Sequence, residues 1–308
     1  MRESIKGGEI KLIEEMQNKV CLVTGSSSGI GRGVAKIMAQ MGAKVIMVSR
    51  DKPRGKEAFE EIKNISNNTE WIPTDLCSID SIHNLVEHFK SNYSSLDILF
   101  NCAGDKIMKK YHTIDGFDGL FFSNYLGHFL LTNLLFEPLK KATHSKVITI
   151  SGRGHKASLT EGNYRGVIDF NDLQGNIKFS YGKYAKQATL AKVMFAYELC
   201  RRWENQDIAS TTLCPGLTHT SQGEYFPLPL KILVPLVYMI KKTQTPEEGA
   251  MHLIELAKKD NREINGKYFE GSKDGLFEVK SSDESYDISV AKKLWEESEK
   301  LVCQKFVY

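Results

Sequence analysis

Residues 24–31 read Thr24-Gly25-Ser26-Ser27-Ser28-Gly29-Ile30-Gly31 and directly follow the apolar run Val20-Cys21-Leu22-Val23. This pattern predicts a buried strand that turns sharply into a helix, with glycines where a side chain would block a diphosphate. Glycines let the backbone approach phosphate oxygens, and the N–H groups at the positive end of a helix stabilise negative charge. The stretch therefore predicts a nucleotide site near the start of the chain.

Downstream of this turn, strand patterns alternate with helix patterns. We predict strands at 20–23, 44–48, 71–73, 96–100, 146–150, 208–213 and 266–269, and helices at 29–41, 53–65, 79–91, 117–139 and 184–204. Strands alternating with helices of this length indicate a parallel sheet covered on both faces. We expect an α/β fold with one domain at 18–285, an N-terminal extension at 1–17 and a helical tail at 286–308.

Composition excludes several other classes of protein. With 41% hydrophobic and 26% charged residues, the 308-residue chain can bury a proper core, and its net charge of +3 argues against a nucleic-acid groove. The six cysteines form no C-x-x-C pair, which indicates core residues in a reducing compartment and no metal site. The longest apolar run has nine residues and no signal peptide is visible, so we expect a cytoplasmic protein.

Six further motifs follow the glycine-rich turn in a consistent order. They are Asp75-Leu76, Asn101-Cys102-Ala103-Gly104, the run Asn124-Tyr125-Leu126-Gly127-His128, Cys214-Pro215-Gly216, Thr245-Pro246-Glu247-Glu248-Gly249-Ala250 and Gly266-Lys267-Tyr268-Phe269. Together with the Gly-x3-Gly-x-Gly spacing, they resemble the short-chain dehydrogenase/reductase family and, within it, the retinol-dehydrogenase-like branch. The resemblance covers residues 18–302.

The resemblance implies a doubly wound Rossmann fold that binds NAD(H) or NADP(H) along the carboxyl ends of its strands. Its cofactor positions carry over to this chain in four groups. The diphosphate would lie against Gly25, Ser27, Gly29, Ile30 and Gly31; the adenine against Asp75 and Leu76; the ribose against Asn101, Ala103 and Gly104; and the nicotinamide end against Pro215, Gly216 and Thr220.

The form of the cofactor depends on the residues after the second strand, Ser49-Arg50-Asp51. An aspartate that ends this strand would repel a 2′-phosphate, whereas Arg50 can pair with one bidentately. Arg50 could also be a plain surface arginine. We expect NADP(H) rather than NAD(H).

In this family an Asn, a Ser, a Tyr and a Lys move the proton that accompanies the hydride. Asn124 matches its motif, but Ser151 stands first where the family has two serines and Gly152 stands second. Counting back from Val193, the tyrosine position is Ala185 and the lysine position is Thr189, and no tyrosine in this segment has a lysine four residues on.

Two outcomes remain open for this segment. A one-residue shift in register at the helix start would bring Tyr184 into the site, with Lys186 in the role of the family's lysine. Asn124, Ser151, Tyr184 and Lys186 would then act together. Alternatively, Tyr184 is ordinary aromatic packing, and the proton machinery is lost while the cofactor site survives.

Between the Cys214-Pro215-Gly216 motif and Thr245 lies an apolar segment, residues 225–240, which in this family closes over the substrate. It suits a small apolar substrate such as a retinoid, steroid or lipid aldehyde. Flanked by lysines, the segment could also make peripheral membrane contact or form a buried helix pair.

The family often forms homodimers through its two long helices, here 117–139 and 184–204. We expect an NADP(H)-dependent oxidoreductase; the alternative is a catalytically impaired dinucleotide-binding sensor or scaffold.

Overall fold

The computed structural model describes residues 16–50, 52–105, 107–156, 166–218 and 243–308, and a single eight-stranded sheet organises them. Its strand order is β3-β2-β1-β4-β5-β6-β7-β8, parallel except for the antiparallel pair β7–β8. The predicted α/β class with a doubly wound parallel sheet is confirmed. The strands are β1 Val20–Thr24, β2 Lys44–Ser49, β3 Thr69–Pro73, β4 Ile98–Asn101, β5 Ser145–Ile150, β6 Ile208–Cys214, β7 Tyr268–Ser272 and β8 Gly275–Glu278.

The strand order reverses at β1, the first strand of the chain. β1 pairs with β2 on one side and with β4 on the other, so the connection after β3 crosses the sheet. In a parallel sheet of this kind, the loops after the two flanking strands diverge and open a crevice at their carboxyl ends. The glycine-rich turn follows β1 directly, which places it in that crevice.

Helices cover both faces of the sheet. They are α1 Gly29–Gln40, α2 Lys52–Lys63, α3 Ile79–Asn92, α4 Gly119–Phe121, α5 Gly127–Leu134, α6 Phe136–Lys141, α7 Tyr181–Arg202, α8 Pro246–Lys258, α9 Asn261–Ile264 and α10 Ile288–Leu301. None of these described helices is both long enough and apolar enough to span a lipid bilayer.

The single helix predicted at 117–139 is instead divided into three pieces. A π-helical turn, Phe122–Leu126, separates α4 from α5 within one continuous helical stretch, and the chain leaves helical geometry only at Leu135, before α6. Pro138 has no N–H to donate to the carbonyl of Leu134, which explains the break at Leu135. In the π turn, the side chain of Asn124 donates to the Leu120 carbonyl at 3.0 Å. Widened turns of this kind often lie at functional sites.

Two apolar layers hold the helices on the sheet. On one face, the Phe129 ring packs against Trp295 of α10, with ring centroids 4.9 Å apart, and against Phe195 of α7 at 5.6 Å. On the other face, Val34 and Met38 of α1 belong to a buried cluster that includes Leu253 of α8. Both long helices near the crevice, α1 and α7, are therefore held by buried side chains, which fixes the faces that they present to it.

Candidate active site

A cavity of about 580 Å³ opens at the carboxyl ends of the parallel strands. Loops after β1 to β6 and one face of α7 form its wall. Most of the residues predicted from the sequence lie on it: Gly25, Ser27, Gly29, Ile30, Gly31, Arg50, Asp75, Leu76, Ala103, Gly104, Asn124, Ser151, Pro215 and Gly216. Thr220 lies outside the described residues.

In the glycine-rich loop, Gly25 and Gly31 stand where no side chain fits. Gly25 has a φ of +68°, and a Cβ on it would lie 2.8 Å from the Cα of Ala103. A Cβ on Gly31 would overlap the carbonyl oxygen of Gly25. The Thr24 hydroxyl oxygen accepts the N–H groups of Cys102 and Ala103 at 2.9 and 3.0 Å, so the loops after β1 and β4 are tied together. This role of Thr24 does not follow from the sequence pattern.

The N-terminus of α1 faces this loop without a protein cap. Ser28 occupies the N-cap position in an extended conformation, its side chain makes no capping hydrogen bond, and the first turn holds no acidic residue. The first N–H groups and the positive end of the helix dipole are thus available to an anion. Together with the glycine cradle, they fit the diphosphate of a dinucleotide.

Two arginines line the cavity near the end of β2. Arg50 follows β2 directly, and Arg54 lies in the first turn of α2. Arg54 is a site residue that was not predicted. Its position four residues after Arg50, at the start of a predicted helix, indicates a second cation at this end of the cavity. A guanidinium pairs well with phosphate oxygens, so this end of the cavity fits a phosphorylated ribose.

Asn101 does not lie on the cavity wall, which corrects the predicted contact with the ribose. Its side chain is fully buried and donates to the Thr132 hydroxyl oxygen at 3.1 Å. β4 continues through this residue, so its side chain leaves the sheet toward Thr132 of α5, and the chain turns only at Cys102. Ala103 and Gly104, after the turn, do line the cavity.

Asn124 is held in one orientation by the π turn. Its side-chain nitrogen donates to the backbone carbonyls of Asp105, at 2.9 Å, and of Leu120, at 3.0 Å. The amide oxygen therefore faces the opposite way, toward the Nζ atom of Lys192 at 3.5 Å. A Cβ on Gly104 would lie 2.8 Å from that oxygen, so any larger residue there would push the Asn124 amide out of this orientation.

Lys192 also affects a buried histidine below the cavity. Burial first, and then the positive charge of Lys192, lower the pKa of His128 to about 3. The neutral ring lies with its Nε2 atom 3.2 Å from the Thr24 hydroxyl. Burial and the Lys192 charge together keep this ring neutral.

Ser151 lies on the wall, and its hydroxyl donates to the backbone carbonyl of Thr189 at 3.0 Å. The next residue, Gly152, is where the family has its second serine. A Cβ on Gly152 would lie 3.3 Å from the Cγ2 methyl of Thr189. The hydroxyl that the family places at position 152 is absent, and Thr189 crowds the space next to it.

One face of α7 forms the wall opposite the glycine-rich loop. It presents Tyr181, Ala185, Ala188, Thr189 and Lys192, which are spaced by four, three, one and three residues as on a regular helix. Ala185 and Thr189, which the count along the sequence assigns to the family's tyrosine and lysine positions, both lie on this wall. Tyr181 and Lys192 were missed as site residues, although helical spacing from Ala185 places both on this face.

Tyr184 and Lys186 lie off this wall, which corrects their predicted placement in the site. The Tyr184 hydroxyl donates to a carboxylate oxygen of Asp172 at 2.8 Å, and its ring stacks on Phe179. Burial, and then the bond to Asp172, raise the pKa of Tyr184. The one-residue shift in register does not occur, because α7 is regular from Tyr181 and Asp172 holds the Tyr184 side chain away from the cavity.

The chain is similar to known proteins over most of its length. Residues 19–165 match the family model for short chain dehydrogenase. The chain is 33% identical to human retinol dehydrogenase 14, over 96% of this chain and 89% of that protein. It is 32% identical to human polyprenol dehydrogenase, over 91% of this chain and 84% of that protein.

Solved structures share the fold. A protein of Mycobacterium paratuberculosis superposes with a TM-score of 0.75 at 26% identity, covering 97% of this chain and 98% of that one. A short chain dehydrogenase from Burkholderia cenocepacia in complex with NADP gives a TM-score of 0.64 at 19% identity, covering 84% of this chain and 98% of that one. The second likeness concerns the fold alone.

Proposed function

This chain belongs to the short-chain dehydrogenase/reductase family, in its retinol-dehydrogenase-like branch, and from that premise we propose that it transfers hydride between NADP(H) and an apolar alcohol or carbonyl compound. The observation that carries the proposal is the cavity, in which the glycine cradle, the uncapped helix end and Arg50 meet. When bound, the nicotinamide supplies or accepts the hydride. The chain positions both reactants and excludes water.

The proposed substrates are retinoids, steroids and lipid aldehydes. Two relatives are named for retinol and polyprenol, which are both apolar isoprenoid alcohols. Residues 225–240, which lie outside the described residues, are rich in apolar side chains, as a lipid-binding segment requires. Burial of a long hydrocarbon gains about 0.8 kcal/mol for each methylene group, which favours a lipid over a polar metabolite.

A second function is favoured by one specific observation. Gly152, Ala185 and Thr189 lie on the wall, and counting along the sequence assigns them to the family positions that move the proton. General acid–base catalysis contributes about 10²–10⁴-fold to rate, so its loss leaves a slow enzyme that still binds its cofactor. A dinucleotide-binding sensor or scaffold is therefore the alternative.

Single-turnover oxidation of bound NADPH separates these functions. The protein is loaded with NADPH and mixed with retinal, ketosteroids, quinones and medium-chain aldehydes in turn, and the loss of NADPH fluorescence is followed. Substrate-dependent oxidation supports the oxidoreductase. Tight NADPH binding without turnover on any compound supports the sensor or scaffold, and absence of NADPH binding contradicts both.

We expect Arg50→Ala to weaken NADPH binding by about 10–100-fold and to leave NADH binding within twofold, because a charge-assisted hydrogen bond contributes about 1.5–3 kcal/mol. Calorimetric titration with both cofactors measures the ratio. Lys56→Ala is the matched control, since Lys56 is an exposed cation of α2 that does not line the cavity. Equal losses for the two cofactors would show that Arg50 does not read the 2′-phosphate.

Tyr184→Phe is expected to leave NADPH binding and turnover within twofold and to lower the melting temperature by about 3 °C. The reason is that the Tyr184 hydroxyl is committed to Asp172, behind the wall. Single-turnover rates and thermal melts measure the two effects. A rate loss of tenfold or more, without a matching loss of cofactor binding, would restore Tyr184 as the proton donor.

A further inference from the structure

We propose that Lys192 is the cofactor-positioning cation of this site, and that its ammonium holds the ribose hydroxyls of the nicotinamide half of the dinucleotide. The count along the sequence assigns the family's lysine position to Thr189, three residues before Lys192. The inference rests on the proposed function only in requiring that a nicotinamide dinucleotide binds.

The geometry around the ammonium supports this role. Lys192 lies on the cavity wall and is only 7% exposed, so its charge is at the surface of the cavity rather than in open solvent. Its Nζ atom is 3.5 Å from the Asn124 amide oxygen. A Cβ on Gly104 would lie 3.7 Å from this Nζ atom. The charge therefore stands directly against the loop after β4.

The neighbours of Lys192 are arranged to hold an ammonium. The Asn124 amide nitrogen is committed to two backbone carbonyls, which leaves its oxygen, an acceptor, toward Lys192. The ring of His128 is neutral because burial and Lys192 both lower its pKa. An ammonium carries three N–H donors, so one that donates to the Asn124 oxygen can also donate to hydroxyl groups of a ligand.

The position of Lys192 selects one half of the cofactor. Arg50 and Asp75 follow β2 and β3, on one side of the glycine-rich loop, whereas Gly104 and Asn124 follow β4, on the other side. A dinucleotide whose diphosphate lies at α1 extends one half over each side. If Arg50 receives the 2′-phosphate of the adenosine half, the ammonium of Lys192 meets the other ribose.

The geometry of α7 explains how a lysine at position 192, three residues after position 189, can reach the same part of the cavity. Position 192 is about 4.5 Å along the α7 axis from position 189 and about 60° around it. A lysine stem spans a comparable distance, and Thr189 has only a short side chain. The Nζ atom can thus reach the wall next to Gly104 from the later position.

Calorimetric titrations of the full chain with NADPH and with adenosine 2′,5′-bisphosphate test the proposal. For Lys192→Met we expect NADPH binding to weaken about 10–100-fold while the bisphosphate, which lacks the nicotinamide half, binds within twofold of the unchanged protein. Lys186→Met is the control, because Lys186 is a buried lysine of the same helix that does not line the cavity. Lys192→Gln replaces Lys192→Met if the methionine variant does not fold.

Each outcome has a distinct meaning. Unchanged NADPH binding by both Lys192 variants would overturn the proposal while leaving the proposed function intact. Equal losses for NADPH and the bisphosphate would also overturn it, because the effect would then lie outside the nicotinamide half. If the unchanged protein binds the bisphosphate but gains no affinity from the nicotinamide half of NADPH, both the proposal and the proposed function fail.

Discussion

The triple variant Gly152→Ser/Ala185→Tyr/Thr189→Lys is expected to oxidise bound NADPH about 10²–10⁴ times faster than the unchanged protein, with the best aldehyde or ketone of the panel. The three changes restore the family's hydroxyl, acid and cation at positions that the structure places on the cavity wall. A tyrosine hydroxyl there would deliver the proton to the substrate oxygen, and a lysine beside it would lower the pKa of that hydroxyl.

The changes are compatible with one another in the structure. Serine at position 152 is crowded by the Thr189 methyl, because a Cβ would lie only 3.3 Å from it. Replacement of Thr189 by the unbranched lysine removes that methyl. Ala185 faces the cavity, so the larger tyrosine ring extends into open space rather than into the core. We therefore expect the variant to fold with a melting temperature close to that of the unchanged protein.

The matched control is Gly152→Ser/Ala185→Phe/Thr189→Lys, which carries the same ring without the hydroxyl. Single-turnover rates with equal cofactor loading compare the two proteins. If the phenylalanine version is as fast as the tyrosine version, the gain does not come from proton transfer and the interpretation fails. If neither version is faster, loss of the family's residues at these positions does not limit the rate.

Gly31→Ala is expected to reduce the affinity for NADPH by at least about 100-fold, and to reduce that for adenosine 2′,5′-bisphosphate similarly. A Cβ at this position overlaps the Gly25 carbonyl, so α1 and the glycine-rich loop must separate. The N–H groups at the start of α1 would then no longer point at the diphosphate, and two or more charge-assisted hydrogen bonds would be lost. Titration of each ligand, with a thermal melt to verify folding, measures the effect.

Gly182→Ala serves as the control for this experiment. A Cβ on Gly182 meets nothing within 4 Å, so the methyl group is accommodated at the start of α7. We expect unchanged binding and equal or higher stability, because alanine favours helix over glycine by about 1 kcal/mol. Near-normal binding by Gly31→Ala would show that the loop adapts and that its tight packing is not required for the diphosphate.

The fold follows from local sequence patterns. The apolar run before Thr24 and the glycines after it predict β1, the turn and α1, and the structure contains all three. Period-2 and period-3.6 patterns depend on neighbouring residues, so they can be recognised without the rest of the molecule. The regular helix predicted at 117–139 is wrong, because Pro138 and the Asn124 side chain alter it. The Asn124 amide donates a hydrogen bond to the carbonyl of Leu120.

Some features of the site also follow from the sequence alone, and others follow only from the tertiary structure. The sequence by itself determined the glycine cradle, the order of the loops around it and, by counting along α7, the absence of tyrosine and lysine at positions 185 and 189. Only the tertiary structure decided that Lys192 meets Asn124, 68 residues away, and that Asp172 holds Tyr184 behind the wall. The physical reason is that such pairs depend on how each helix is rotated on the sheet. That rotation is set by the packing of the whole core rather than by the residues on either side.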